Sequence, residues 1–438
     1  MTTESEYGQP HKTLISIDPL KPAKGQKGLQ NRWHPDIPAV ATAQQGEIFK
    51  VECIGQVKNT DNADDLNSVD LSSVHNLSGP VRVEGAQPGD ALKVELLNVE
   101  YFPQCPWGYT GIFNKEDGGL FAKEFDTKAS KAIWDLEGVY ASSRHVPGVR
   151  FAGIPHPGIL GTAPSQELLD EWNRREQALI DAQPGASPAV ALPPEPKGVY
   201  IGQDLDEAVL EKIKKEGART IPGREHGGNC DIKNLSRGST VWLPVFVEGA
   251  NLTVGDLHFS QGDSEMSFCG AIEMSGVVTM RCTVVKGGVE KLNLKQPIFL
   301  PSPVDPFYSQ HLTFQGISVD AHGDGSQHSM CATTAFKQAA LNTMSYLTNL
   351  GYTLEQAYIL LSAAPTESHV AALVDVPNAC VTLSLPPQIF DRNILPEGMG
   401  PNGFEKRDYG NVALRSDGQR SIEFFSEEEV KKRASKKQ

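Results

Sequence analysis

Two short polar runs concentrate the reactive side chains of this chain: GREHGGNCD, Gly223–Asp231, and GDLHFSQGDSE, Gly255–Glu265. They hold His226 and His258, the carboxylates Glu225, Asp231, Asp256, Asp263 and Glu265, and several glycines. Imidazole nitrogen with carboxylate oxygen is a ligand set for zinc or a similar divalent ion. Such an ion polarises a carbonyl and brings the pKa of its bound water to about 7. Hydrolysis of a stable carbonyl compound also needs a positioned acid or base, and backbone that approaches the substrate closely, which glycine permits.

Taken singly, each residue is ordinary. A histidine before Gly-Gly is commonly a turn or a hydrogen-bonded surface group, and an aspartate after glycine is commonly a turn residue. Their density, among glycines that weaken strands for no return, raises the functional reading. If Asp256 and His258 lie on a strand, the two-residue spacing points both to one face. Gly262-Asp263 then turns the chain so that Glu265 returns to the same side. In the first run, Asn229 and Asp231 share a face if extended, and Cys230 points away. A third cluster, SVDAHGDGSQHSM, carries Asp320, His322, Asp324 and His328 just before an expected helix. It could hold a metal or an anion, or be a polar loop with Ser329 near a cap. His145 and His156 fall in a Pro/Gly-rich segment that either walls a pocket or connects domains.

Elements to position these residues are visible on both sides. Gly79–Glu100 and Thr240–Asp256 alternate as strands, the second with Val241, Leu243, Val245 and Val247 on one face. Both contain VEGA followed by GD, an echo compatible with two related β units in which His258 stands where the first unit has Leu92. Between them, Ser165 caps an expected helix with Leu168, Leu169, Trp172 and Leu179. A Pro/Ala-rich linker, Ala182–Pro196, and a short helix with Leu205, Val209 and Ile213 ending at Gly217 follow. Thr333–Leu350 reads as a helix closed by Gly351, and a Thr353/Gln356 capping box opens another through Ala363. The final residues carry a further box, Ser426 with Glu429, and a basic tail.

The expected fold is therefore β-rich α+β, a sandwich or barrel-like core of two halves with a helical insertion and a few C-terminal helices. Its divisions are 1–162, an excursion at 163–222, 223–421 with the site motifs, and a charged tail at 422–438. A chain of 438 residues supports a large core. The formal charge of −14 argues against a nucleic-acid surface. No apolar run is long enough to span a membrane, and MTTESEYGQPHKT lacks a signal peptide's apolar core. Seven scattered cysteines without CxxC suit a reduced, cytoplasmic protein better than a disulfide framework.

At its two polar runs the chain resembles the acetamidase/formamidase family, most closely its fungal formamidases. LSGPVRVEGAQPGD, FAGIPHPGILGTAPS and LPSPVDPFYSQHLTFQGIS support the likeness, which runs roughly from Trp33 to Pro387. The family's HGGNxD pattern falls on His226, Asn229 and Asp231, and its GDxHxxxGDxE pattern on Asp256, His258, Asp263 and Glu265. The resemblance implies hydrolysis of a short aliphatic amide to a carboxylate and ammonia, a β-rich fold, and a homo-oligomer of trimers or hexamers. On this reading His226, Asp231, Asp256 and His258 hold the divalent ion, zinc being favoured. Glu265 is the general base and later the proton donor to ammonia, with Asp231 and His226 in the catalytic group. Asn229 or Gln261 orients the amide, and Gly227 and Gly228 bring backbone close to it. Two rivals stay open: a covalent amidase using Cys230 with Glu225, and a non-catalytic β module that binds a small amide or metal.

Overall fold

The computed structural model describes residues 11–55, 58–185, 187–420 and 422. The capping box at Ser426 and Glu429 and the basic tail lie outside the described residues.

Period-two alternation produces two large sheets. The first runs, in spatial order, Lys12–Ile15, Ile48–Cys53, Gly276–Val285, Ala91–Tyr101, Thr240–Pro244 and Ile298–Leu300. In Ile48–Cys53 every second side chain is buried, as expected for a strand with one wet face. The second sheet has twelve strands. Its main path is Arg150–Ala152, Tyr140–Ser142, Ser130–Glu137, Trp107–Ile112, Phe268–Met274, Leu252–His258, His156–Gly161, Gly227–Asn229 and Gly223–Arg224. Leu77–Val83 also pairs with Leu252–His258, and Leu29–Gln30 and Ala41–Ala43 pair with Leu77–Val83. Among the described residues neither sheet closes on itself, so the core is a sandwich and not a closed barrel. One apolar cluster takes Phe49, Val51 and Val94 from the first sheet and Val81, Leu252 and Val254 from the second. Strands from before and after the helical excursion share both sheets.

The two VEGA segments meet. Val83 N–H donates to Gly249 O at 2.8 Å, and Gly249 N–H donates to Ala86 O at 2.9 Å. The strands that follow them part company. Ala91–Tyr101, with Leu92, lies in the six-stranded sheet, whereas Leu252–His258 lies in the twelve-stranded one.

In the excursion, Ser165 caps helix Gln166–Ala182 by accepting from Leu168 N–H, and the helix buries Leu169 and Trp172. Leu179, expected on that face, is exposed. The second helix is Glu207–Glu216, capped by Gly217; it buries Ile213, and Leu205 precedes it. Downstream, helix Ala332–Asn349 packs on a three-stranded sheet of Leu312–Ile317, Cys380–Leu385 and Glu367–Ala372. Thr353 and Gln356 form the reciprocal capping box of helix Leu354–Ala363. Among the described residues no helix is long and apolar enough to cross a membrane.

Candidate active site

Strand register assembles the site. His156 lies opposite His258, His258 opposite Glu273, and Glu273 opposite Tyr109, across four neighbouring antiparallel strands. Directly opposed residues share a face, so this row of polar side chains points the same way. The Gly227–Asn229 strand pairs with the other edge of His156–Gly161, which brings the first polar run within one strand of the second. Gly158 makes the final approach possible. A Cβ there would lie 2.8 Å from Asp231 Oδ1 and 2.7 Å from His258 Cε1.

A cavity of about 360 Å³ lies against these strands. Asn229, Asp231, Asp256, Glu265, Glu273 and His75 line its polar side, while Leu71, Phe113, Leu120, Met266 and Phe268 form an apolar wall. Asp231, Asp256, Ser264, Glu265 and Phe268, all lining residues, have left-handed backbone conformations. Each such conformation costs about 1–3 kcal/mol and persists where the surroundings over-determine it, as they do at functional sites.

The carboxyls press on one another. Burial, with the Asp256 charge adding to it and His258 opposing it, pushes Asp231 up to about 6. Burial and the Asp231 charge push Glu265 well above the usual range. Glu273 is pushed up to about 7, burial outweighing the pull of His258. For Asp256, burial also acts upward, but His75 and His258 hold the group below the ordinary carboxylate range. Its Oδ2 lies 3.7 Å from His75 Nε2 and 3.6 Å from His258 Nε2. His258 is the converse case. Burial would lower its pKa, yet Glu273, with Oε2 at 3.2 Å from Nε2, and Asp256 hold it well above the usual imidazole value.

This donor set suits a divalent cation. Asp231, Asp256 and His258 present ligand atoms all within 4.8 Å of one another, and so do His258, Glu265 and Glu273. His258 Nε2 and Asp231 Oδ1 are buried without an aligned hydrogen bond. Such buried, partly unsatisfied groups are costly unless something compensates them.

His226 is placed elsewhere, which corrects the expected ligand set. It is fully buried between Trp33 and Trp172, with ring centroids 4.5 and 4.6 Å away, and is not a cavity-lining residue. Burial and the Arg224 charge drive its pKa well below the ordinary value. The helical excursion supplies one wall of this box, Trp172. Trp172 Nε1 donates to Glu225 at 2.8 Å, and Arg175 pairs with the same carboxylate. Gly227 and Gly228 are also away from the cavity lining. A Cβ on Gly228 would lie 2.8 Å from the His226 ring, and one on Gly227 would lie 2.4 Å from Leu160 O, so their glycines serve packing. Gln261 is buried behind the cavity wall, where Nε2 donates to Asp231 O at 2.6 Å. Asn229 does line the cavity.

Among the other marked residues, Asp263 is occupied by the buried Lys233 and accepts Ser368 N–H at 2.6 Å. Asp320 accepts from Gln338, His322 pairs with Asn342, and His328 with Ser326, and none of them lines the cavity. His145 accepts Ile133 N–H through Nδ1. Cys230 lies outside the cavity lining, its thiol pushed up to about 12 by burial, which disfavours the thiolate a covalent route needs. Sequence reasoning missed His75, Tyr109, Cys269 and Glu273. Glu273 left a signal, being a lone carboxylate in the apolar stretch FCGAIEM. His75, in LSSVHNLSGP, left none.

The sequence and the fold match those of known proteins. Residues 16–392 match the model of the acetamidase/formamidase family. The chain belongs to that family, and it is a hydrolase of amide C–N bonds. It is 49% identical to the formamidase of Methylophilus methylotrophus over 395 residues, covering 89% of this chain and 96% of that one. It is 50% identical to the acetamidase of Mycolicibacterium smegmatis over 372 residues, covering 82% and 91%. Among solved structures, a γ-lactamase from Delftia acidovorans superposes with a TM-score of 0.87 at 48% identity, covering 92% of this chain and all of that one.

Proposed function

We propose that the cavity hydrolyses formamide, or a similarly short aliphatic amide such as acetamide, to the carboxylate and ammonia. The observation that carries this reading is the convergence of Asp231, Asp256, Glu265 and Glu273 on one cavity, with the buried His258 directly behind Asp256 and Glu273. The formamidase and acetamidase relatives support it. Asp231, Asp256 and His258 would hold a divalent ion, zinc being favoured by the mixed nitrogen and oxygen donors. When bound, that ion would polarise the carbonyl and acidify a water.

The chain's own groups account for the proton movements. Asn229 Nδ2 donates to Ile221 O at 2.9 Å, while its buried Oδ1 has no partner among the described residues. That oxygen is suited to accept an N–H of the substrate amide. Glu273, with a pKa of about 7, suits a base that takes a proton from water near neutral pH. Attack forms the carbon–oxygen bond, and Glu265, whose burial favours the protonated form, passes its proton to nitrogen as the carbon–nitrogen bond breaks. Glu265 thus keeps the donor half of its expected role, and Glu273 takes the base half.

A formyl and an acetyl group differ by one methyl, a difference worth about 1–3 kcal/mol in a pocket. We favour formamide on the likeness to formamidases. Assembly into trimers or hexamers and a cytoplasmic location belong to the same proposal. The exposed Leu300, Val304, Phe307, Val374 and Val376 are apolar surface such an assembly would cover. The division at 163–222 is kept as a proposal too, with the excursion as a brace on the Gly223–Asp231 run.

The test is ammonia release from formamide and acetamide by purified protein whose metal content is measured. Steady turnover of one or both is expected. Ion-replete protein that releases no ammonia from either amide would overturn the reading, and full activity after exhaustive chelation would remove the ion from it.

A further inference from the structure

Behind the cavity, three buried side chains compete for too few protons. Gln261 Oε1 lies 2.9 Å from His258 Nδ1 and 3.0 Å from His156 Nε2, and those ring nitrogens are 3.3 Å apart. The amide's orientation is fixed, because its other end faces Asp231 O at 2.6 Å and only an NH₂ group can meet a carbonyl oxygen. Its Oε1 is therefore an acceptor. His156 Nδ1 lies 2.6 Å from Ile154 O, so that nitrogen must carry a proton. With its proton on Nδ1, the neutral His156 ring presents only a lone pair at Nε2. Two acceptors, Gln261 Oε1 and His156 Nε2, then face His258 Nδ1. Only a proton on that nitrogen satisfies them both.

We propose that Gln261 and His156 are a positioning pair that keeps a proton on His258 Nδ1, so that Nε2 is the nitrogen that meets the cavity carboxylates and any cation held there. The same Gln261 amide ties the Asp231 backbone to this junction, coupling the two polar runs through one side chain. The inference rests on His258 working in the proposed site, but its structural content does not depend on turnover. An outer partner that fixes the tautomer of a ligating histidine is commonly worth 10–100-fold in metal affinity or activity.

The test is long-range ¹H–¹⁵N NMR of His258 in labelled full-length protein, recorded ion-free at alkaline pH and again with Zn²⁺ added. Proton on Nδ1 and lone pair or metal on Nε2 are expected. Gln261→Leu should lose that preference, bind Zn²⁺ about 10–100-fold more weakly by chelator competition, and lower kcat more than it changes KM. Gln261→Glu, which keeps an acceptor, should restore the Nδ1–H signature. A wild-type His258 protonated only on Nε2 would overturn the proposal. So would a folded Gln261→Leu protein with unchanged tautomer and Zn²⁺ affinity. If Gln261→Leu fails to fold, the wild-type spectrum decides alone. A wild type with the expected tautomer but no amide hydrolysis would overturn the proposed function and leave this assignment standing.

Discussion

His226 and His258 occupy matching places in two glycine-rich polar runs, both are fully buried, and the fold treats them in opposite ways. His226 sits between two indoles with a guanidinium nearby, and its pKa falls. His258 stands beside Asp256 and Glu273, and its pKa rises. Desolvation opposes the charged form in both cases. The neighbours decide: among the described residues no carboxylate pairs with the first ring, and two lie within 4 Å of the second. A buried imidazole is chemically useful where opposite charge outweighs burial, and is a packing group where aromatic rings surround it.

The largest break of this comparison is His258→Ala. Losing Nε2 leaves Asp256 and Glu273 without their cation and removes one of the three proposed ion donors. We expect kcat/KM for formamide to fall by at least about a hundredfold, with ion content falling in parallel. Steady-state kinetics with metal analysis on the same preparation checks both. Activity within a few-fold of wild type, with the ion retained, would show that the carboxylates do the work without His258.

How much of this contrast could be read in advance depended on how local its cause was. Ser165, Thr353 and Gln356 act on N–H groups three residues away, so those helix starts fell where the sequence placed them. Asp256 and His258 do meet, side chain to side chain, as their spacing implied. Glu273 joins them through strand register, and His75 through a segment nearly two hundred residues earlier, which no spacing rule reaches. The fate of His226 was set by Trp33 and Trp172, both far from it in sequence and one of them on the helical excursion. Its HGGN motif gave no sign that the glycines shape a cradle for the ring and not for a substrate.

A smaller effect sharpens the electrostatic half of the comparison. The carboxyl of Glu273 has a folded-state pKa raised to about 7 from an ordinary 4.5, and that of Asp231 is raised to about 6 from 3.8. A raised carboxyl pKa means the folded state binds more protons than the unfolded one. The stabilisation is thus fully present below the unfolded value and is lost as pH rises through the folded value. In chelated protein these two carboxyls should withdraw stability between roughly pH 4.5 and 7, at about 1.4 kcal/mol per titrating group per pH unit at most, while the buried, neutral His226 and His156 act in the opposite sense below about pH 6.5. Adding Zn²⁺ should recover more of the melting temperature at pH 8 than at pH 5, because a cation replaces the lost protons. Thermal melts at the two pH values, with and without Zn²⁺, measure this. Equal recovery by Zn²⁺ at the two pH values would mean the carboxyls are not crowded as described.

The smallest effect is expected on the other side, at His226→Leu. Both ring nitrogens of His226 are buried and lack a hydrogen-bond partner among the described residues. Replacing the ring by an apolar group of similar volume removes two desolvated polar atoms, which favours the variant. It also forfeits the ring contacts with Trp33 and Trp172, which disfavours it. These terms oppose one another, so stability should move by less than about 1.5 kcal/mol, as for other volume-conserving core exchanges. Turnover and ion content should stay within a few-fold of wild type. Denaturant unfolding, ammonia release and metal analysis on one preparation separate the outcomes. A His226→Leu protein that folds and melts normally yet loses turnover as His258→Ala does would place His226 in the chemistry. The aromatic box would then have to be a device for poising a neutral imidazole, and the two histidines would be partners and not opposites.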